Sequence, residues 1–189
     1  MVTAVVNVGH ALDGAVDLVP GRVALVVGDD RYGYAELERW VRRVAATLTA
    51  RGVGPGDRVA LVDNASVLSV ATLLAAARIG AASAQMNVQL TPDELGKLSV
   101  GVGATVGVAG APFRSRLAEA LGPDAVLGEE DIDDIDDIAE PAVADSPTAE
   151  VGDDDGALVL FTSGTTGLPK PIVISHGVVA ERLRFYAAP

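Results

Sequence analysis

The sequence predicts an α/β fold, a mostly parallel sheet flanked by helices. Three observations carry this expectation. Short apolar, β-branched runs alternate with longer stretches of helical period between residues 23 and 121. The stretches between the apolar runs are long enough to serve as crossover helices, which favours βαβ units and parallel strands. The chain has 189 residues, 49% of them hydrophobic. That is too apolar for a disordered chain and enough to form the core of one domain, or of two small ones.

The elements follow in order. Val23 to Val27 is a β-branched run closed by the turn residues Gly28, Asp29 and Asp30. From Tyr34 the period changes. Leu37, Trp40, Val41, Val44, Ala45 and Leu48 fall on one helical face, with Glu38, Arg39, Arg42 and Arg43 on the other. Gly52 is placed to end that helix as a left-handed C-terminal cap. Asp57 to Asp63 reads as a short buried strand. Val67 to Ile79 is apolar nearly all round, so it predicts a buried helix. Ala81 to Met86 is a further strand. Thr91 is an N-cap, followed by Pro92 at the first helical position and by the acids Asp93 and Glu94 near the positive end of the helix dipole. Ala104 to Ala109 is a strand and Pro112 to Leu121 a short helix. Residues 156–161, GALVLF, form an apolar run without alternation, which predicts a strand buried on both faces.

Charge divides the chain into parts. The formal net charge is −12, from 26 acidic and 14 basic residues. Residues 129–155 hold 13 of the acids and no basic residue, so the remainder carries 14 basic against 13 acidic residues. The acidic stretch reads as a solvated connection between two folded parts, with a calcium site or an acidic interaction tail as the alternative. This gives an organisation of a βαβ-type unit at 1–128, an acidic linker at 129–155, and a strand, loop, strand and helix start at 156–189. The totals carry no basic footprint for nucleic acid. Without cysteine, disulfides, zinc–thiolate sites and thiol catalysis are excluded, and two histidines make a His-rich metal site a poor fit. The N-terminus lacks a basic n-region, and the longest uncharged stretch, Leu98 to Phe113, is 16 residues, short of the roughly 20 a spanning helix needs. A cytoplasmic protein is expected.

One segment carries chemistry. Thr162, Ser163, Gly164, Thr165, Thr166, Gly167, Leu168, Pro169 and Lys170 place four hydroxyls, two glycines and one of the chain's two lysines in nine residues, directly after the apolar run at 156–161. Glycine lets a ligand approach the main chain closely. Successive N–H groups in such turns make an anion-binding concavity, hydroxyls donate to phosphate oxygens, and the lysine adds positive charge. The composition is that of a polyphosphate cradle; a polar β-turn between strands is the bland alternative. The spacing is neither the Walker A pattern nor G-x-G-x-x-G.

LVLFTSGTTGLPK, residues 158–170, resembles the phosphate-binding signature of the adenylate-forming superfamily, which includes acyl-CoA synthetases, luciferases and the adenylation domains of peptide synthetases. Residues 32–64 are similar to that superfamily's first helix and following strand, and residues 76–95 to its next block, in the right order. His176 stands where the family usually has a histidine. The MNVQLTPDEL stretch, with Asn87 before Leu-Thr-Pro, is more similar to acyl-CoA synthetases than to amino-acid-activating domains.

The resemblance implies an enzyme that joins a carboxylic acid to AMP, releases pyrophosphate, and passes the acyl group to a thiol such as coenzyme A. Thr162, Ser163, Gly164, Thr165, Thr166 and Gly167 would wrap the β- and γ-phosphates of ATP, and Lys170 would neutralise the departing pyrophosphate. Magnesium would bridge the phosphates and touch Thr165 or Thr166. His176 has the weaker claim to a ligand and reads more readily as a structural residue. A fatty acid is the expected substrate. Pro171 stands where the family usually has glycine, which removes one N–H and puts the loop or the following strand in doubt.

The resemblance further places the adenine-, ribose- and acid-binding motifs, the coenzyme A site and the catalytic lysine after residue 189. The chain is therefore expected to be the N-terminal part of the superfamily's large domain, inactive alone and prone to self-association. A non-enzymatic binding or assembly module is the alternative, and an unrelated flavodoxin-like domain a third.

Overall fold

The computed structural model describes residues 7–133, 148–162 and 168–187. A 3-10 turn at Val8–His10 precedes α1 (Asp13–Leu18). A hairpin follows, β1 (Val23–Val27) and β2 (Asp30–Gly33), and then α2 (Tyr34–Ala50), β3 (Arg58–Val62), α3 (Val67–Arg78), β4 (Ala82–Gln85), α4 (Pro92–Val102), β5 (Ala104–Ala109) and α5 (Arg114–Leu121). Next come β6 (Val126–Leu127) and α6 (Glu130–Asp133). Beyond the acidic stretch lie β7 (Gly156–Thr162), β8 (Lys170–Ser175) and α7 (His176–Ala187).

The main sheet has the order β6-β5-β3-β4-β7-β8. Its first five strands are parallel, and β8 pairs antiparallel with β7 at the edge. The expected class, a mostly parallel sheet flanked by helices, is what forms. The sheet runs across the acidic stretch, since β7 lies beside β4 through the pairs Ser83–Leu158 and Ala84–Val159.

Burial explains the central strands. In β3, Val59 and Leu61 face a cluster with Val41, Val44, Leu48, Leu68 and Ala75 of α2 and α3. Ala60 and Val62 face the opposite cluster with Leu95 and Leu98 of α4 and Leu117 of α5. Both faces are covered, so the strand reads as a continuous apolar run rather than an alternating one. Helix ends follow local chemistry. Ser66 caps α3, its Oγ accepting from the Ser69 amide at 3.0 Å. Thr91 caps α4 with Pro92 at its first turn, and Glu94 reaches back to the Thr91 amide at 2.9 Å. Two hydrogen bonds from Thr91 hold the Glu94 carboxyl below its usual pKa. Gly52 has φ +80°, the left-handed geometry expected after α2.

Three expectations need correction. β1 does not enter the parallel sheet. It folds back on β2, which begins at Asp30, a residue expected in the turn, through a two-residue Gly28–Asp29 turn in which Gly28 has φ +60°. Glu38 does not sit on the outer face of α2 but is buried against Arg78. β7 is not buried on both faces: Ala157 and Val159 are buried, whereas Leu160 is 43% exposed. A short strand beyond those expected, β6, pairs with β5 and extends the sheet. Within the acidic stretch, 134–147 lie outside the described residues. Among the described ones, Glu130–Asp133 form α6 with Ile132 fully buried, and no group of acids and histidines is placed to hold a metal ion. No helix among the described residues is long and apolar enough to cross a membrane.

Candidate functional site

The loop that carries the hydroxyls leaves the carboxyl end of β7, on the edge of the sheet where the parallel strands β3 and β4 also end. In open α/β sheets this edge is where ligands bind. β8 returns the chain, and the two strands close on a pair made by Thr162 and Lys170. The Thr162 hydroxyl donates to the Lys170 carbonyl oxygen at 3.4 Å. Both residues are exposed, and Lys170 makes no ion pair among the described residues. The loop is therefore flanked, at the end of the hairpin, by one exposed hydroxyl-bearing residue and one exposed lysine. Ser163, Gly164, Thr165, Thr166 and Gly167 lie outside the described residues.

Pro171 pairs with Phe161 inside β8, and the strand runs unbroken from Lys170 to Ser175. Edge strands are where a sheet accommodates proline. The concern that Pro171 disrupts the following strand is therefore removed.

His176 opens α7 and is fully buried. Its Nδ1 accepts a hydrogen bond from the Val8 amide at 3.1 Å, and its own amide donates to the Asp155 carbonyl oxygen at 2.9 Å. Burial pushes the imidazole pKa down, against the opposing charge of Asp155. The geometry is that of a structural histidine joining the N-terminal turn to the hairpin.

Sequence reasoning missed the polar group behind this hairpin. Arg78 closes on Glu38 and also donates from Nε and Nη2 to the Gly9 carbonyl oxygen at 3.0 and 2.7 Å. Asn7 Nδ2 donates to the carbonyl oxygens of Arg78 and Ala149, both at 3.2 Å. The available signal was a lone arginine in an otherwise apolar helix, which needs a buried partner.

The family model described as AMP-binding enzyme matches residues 12–188. Long-chain-fatty-acid–CoA ligase FadD13 of Mycobacterium tuberculosis is 35% identical over 164 residues, 85% of this chain and 33% of that protein. Nonribosomal peptide synthetase GRA1 of Gibberella zeae is 33% identical over 176 residues, 90% of this chain and 2% of that protein. Among solved structures, ATP-bound MatB from Rhodopseudomonas palustris superposes with a TM-score of 0.74 at 31% identity, covering 93% of this chain and 36% of that one. The chain thus spans about a third of the length of the curated ligase it matches.

Proposed function

The chain belongs to the AMP-binding enzyme family, and on that premise we propose that it supplies the ATP-phosphate site of an acid–thiol ligase that activates its acid as an acyl-adenylate. The single observation behind this reading is the Thr162–Lys170 closure, which sets a hydroxyl and an ammonium group at the mouth of a hydroxyl- and glycine-rich loop. In the proposed reaction the acid's carboxylate attacks the α-phosphorus of ATP, and the bond to the β-phosphate bridging oxygen breaks. Thr162 through Gly167 hold the β- and γ-phosphates. Lys170 balances the charge that grows on the leaving pyrophosphate, where a pre-placed cation is most effective. Hydroxyls and an ammonium suit a phosphate chain that brings its own magnesium, with Thr165 or Thr166 as the protein's contribution; the ion adds charge neutralisation.

A fatty acid with coenzyme A as acceptor is the finer reading. It is supported by the Leu90-Thr91-Pro92 block after Asn87 and by the likeness to FadD13. The likeness to a peptide synthetase favours amino acids as the second choice. The 189 residues alone are expected to be inactive, because the ligase relative is about three times longer.

The test is acid-dependent exchange of labelled pyrophosphate into ATP by the full-length protein, run with fatty acids of graded length and with amino acids. Exchange with fatty acids only supports the finer reading. Exchange with amino acids only replaces it. No exchange with either class, together with no ATP binding, overturns the adenylation reading.

A further inference from the structure

Residues 7–9 join pieces of the chain that are far apart in sequence. Gly9 and Asn7 are held from the α3 side by Arg78 and by the carbonyl oxygens of Arg78 and Ala149. Between them, Val8 turns its amide the other way, to His176 Nδ1 across 168 residues. Both partners are buried. An imidazole that accepts at Nδ1 is neutral and carries its proton on Nε2. That Nε2 has no hydrogen-bond partner among the described residues.

A second proton has one place to go, Nδ1, where it would meet the Val8 N–H donor to donor. It would also leave an imidazolium away from water. We propose that the Val8–His176 hydrogen bond is a proton-operated latch: protonation of Nδ1 parts α7 from the N-terminal turn, while Gly9 stays seated on Arg78 and the parallel sheet stays folded. The inference is independent of the adenylation reading, although the latched hairpin is the one that carries the hydroxyl-rich loop.

The charges around the ring are few. The turn before β7 brings Asp153, Asp154 and Asp155, and of these Asp155 acts on the ring and favours the proton. The N-terminal turn brings His10, which is paired with Asp13 at 2.7 Å. Behind it, Arg78 pairs with Glu38 and, at 3.4 Å, with Asp13. β7 has no titratable side chain, β8 has only Lys170 at its far end, and α7 itself has Glu181, Arg182 and Arg184 further along. Burial outweighs Asp155 and lowers the imidazole pKa. The sign follows. The latched state binds fewer protons than the open one, so the latch is complete above about 6.5, the ordinary imidazole value, and weakens as pH falls below it.

Hydrogen exchange on the intact protein tests this, with rates corrected for intrinsic pH dependence. The Val8 amide and the first turn of α7 should exchange about tenfold faster per unit of pH below about 6.5, the slope of one linked proton. The β3 and β5 amides should not change. In His176→Asn the amide oxygen can take the place of Nδ1 without titrating, so the slope should vanish. In His176→Phe the Val8 amide should be unprotected at every pH. His10 remains in both variants and serves as an internal control. A flat wild-type profile between pH 7 and 5 overturns the latch. So does an equal slope in His176→Asn, or simultaneous loss of protection in β3 and β5. Should the variants fail to fold, the His176 ring titration in the wild type decides: its midpoint must fall below 6.5 and track the Val8 exchange.

Discussion

Glu38 and Arg78, 40 residues apart in sequence, face each other in the interior as a two-point ion pair, Nη1 to Oε1 at 2.6 Å and Nη2 to Oε2 at 3.0 Å. Arg42 adds a third contact to Glu38 at 2.8 Å, and the remaining Arg78 hydrogen bonds go to the Gly9 carbonyl oxygen and, at 3.4 Å, to Asp13. Every buried charge in the group is therefore answered. Removing one member strands the rest: Arg78→Met should cost about 3–5 kcal/mol, the usual penalty for breaking a buried pair. Urea unfolding measures it. Arg78→Lys should recover only part, because an ammonium cannot make the two-point contact and reach Gly9 together. Full stability in Arg78→Met would show that the pair contributes nothing.

The same pair sets an acid limit. Burial alone would raise the Glu38 carboxyl pKa, but hydrogen bonds and charge from Arg78 and Arg42 prevail and hold it below its usual value of 4.5. The folded state then binds fewer protons than the unfolded one. The stability this provides is present above about 4.5 and is lost as pH falls through the lowered value. Urea midpoints between about pH 6 and 3 should fall more steeply for the wild type than for Glu38→Gln, which has no proton to gain. Parallel curves would exclude Glu38 as a source of acid sensitivity.

Most of the sheet was legible because β3, α3, β4, α4 and β5 are apolar segments of distinct length set off by boundary signals, as in the Thr91-Pro92 start of α4. Glu38 was misplaced because it lies beside Leu37 at the margin of the apolar stripe, where only the arrival of Arg78 from another helix decides burial. β6 is two residues long and has no period to read. An apolar run such as β7 does not say whether something covers Leu160. For the site, motif spacing selected Thr162 and Lys170, and the structure adds that they pair across the hairpin. The seat of His176 depends on Val8 at the other end of the chain, a distance that local patterning does not span.

Exposed apolar side chains gather on the last elements. Leu160, Ile172, Val173 and Val178 are each 43–51% exposed, and Phe185 is 75% exposed. β8 is also a sheet edge, whose unpaired backbone groups invite another strand. The isolated 189 residues should self-associate with rising concentration, read by light scattering. Ile172→Lys should weaken that association without lowering the unfolding midpoint, because charge on an edge strand blocks edge-to-edge pairing. A monomer at high concentration would count against it.

Pro171 and Lys170 are neighbours with opposite expected sensitivities. Lys170→Ala removes the cation proposed to act on the pyrophosphate, and in the full-length protein the exchange rate should fall about 100- to 1,000-fold, the range for losing one pre-placed electrostatic contact. Pro171→Gly restores an N–H, but β8 already pairs through this position and the Thr162–Lys170 closure is formed with proline present. Its effect should be mainly on the unfolded chain, a loss of about 0.4–1 kcal/mol from greater backbone freedom. Pyrophosphate exchange should change less than about threefold, a barrier difference under 1 kcal/mol. A gain above about tenfold would show instead that the missing N–H weakens the phosphate site, since a factor of ten corresponds to about 1.4 kcal/mol, close to the value of one hydrogen bond to a charged group.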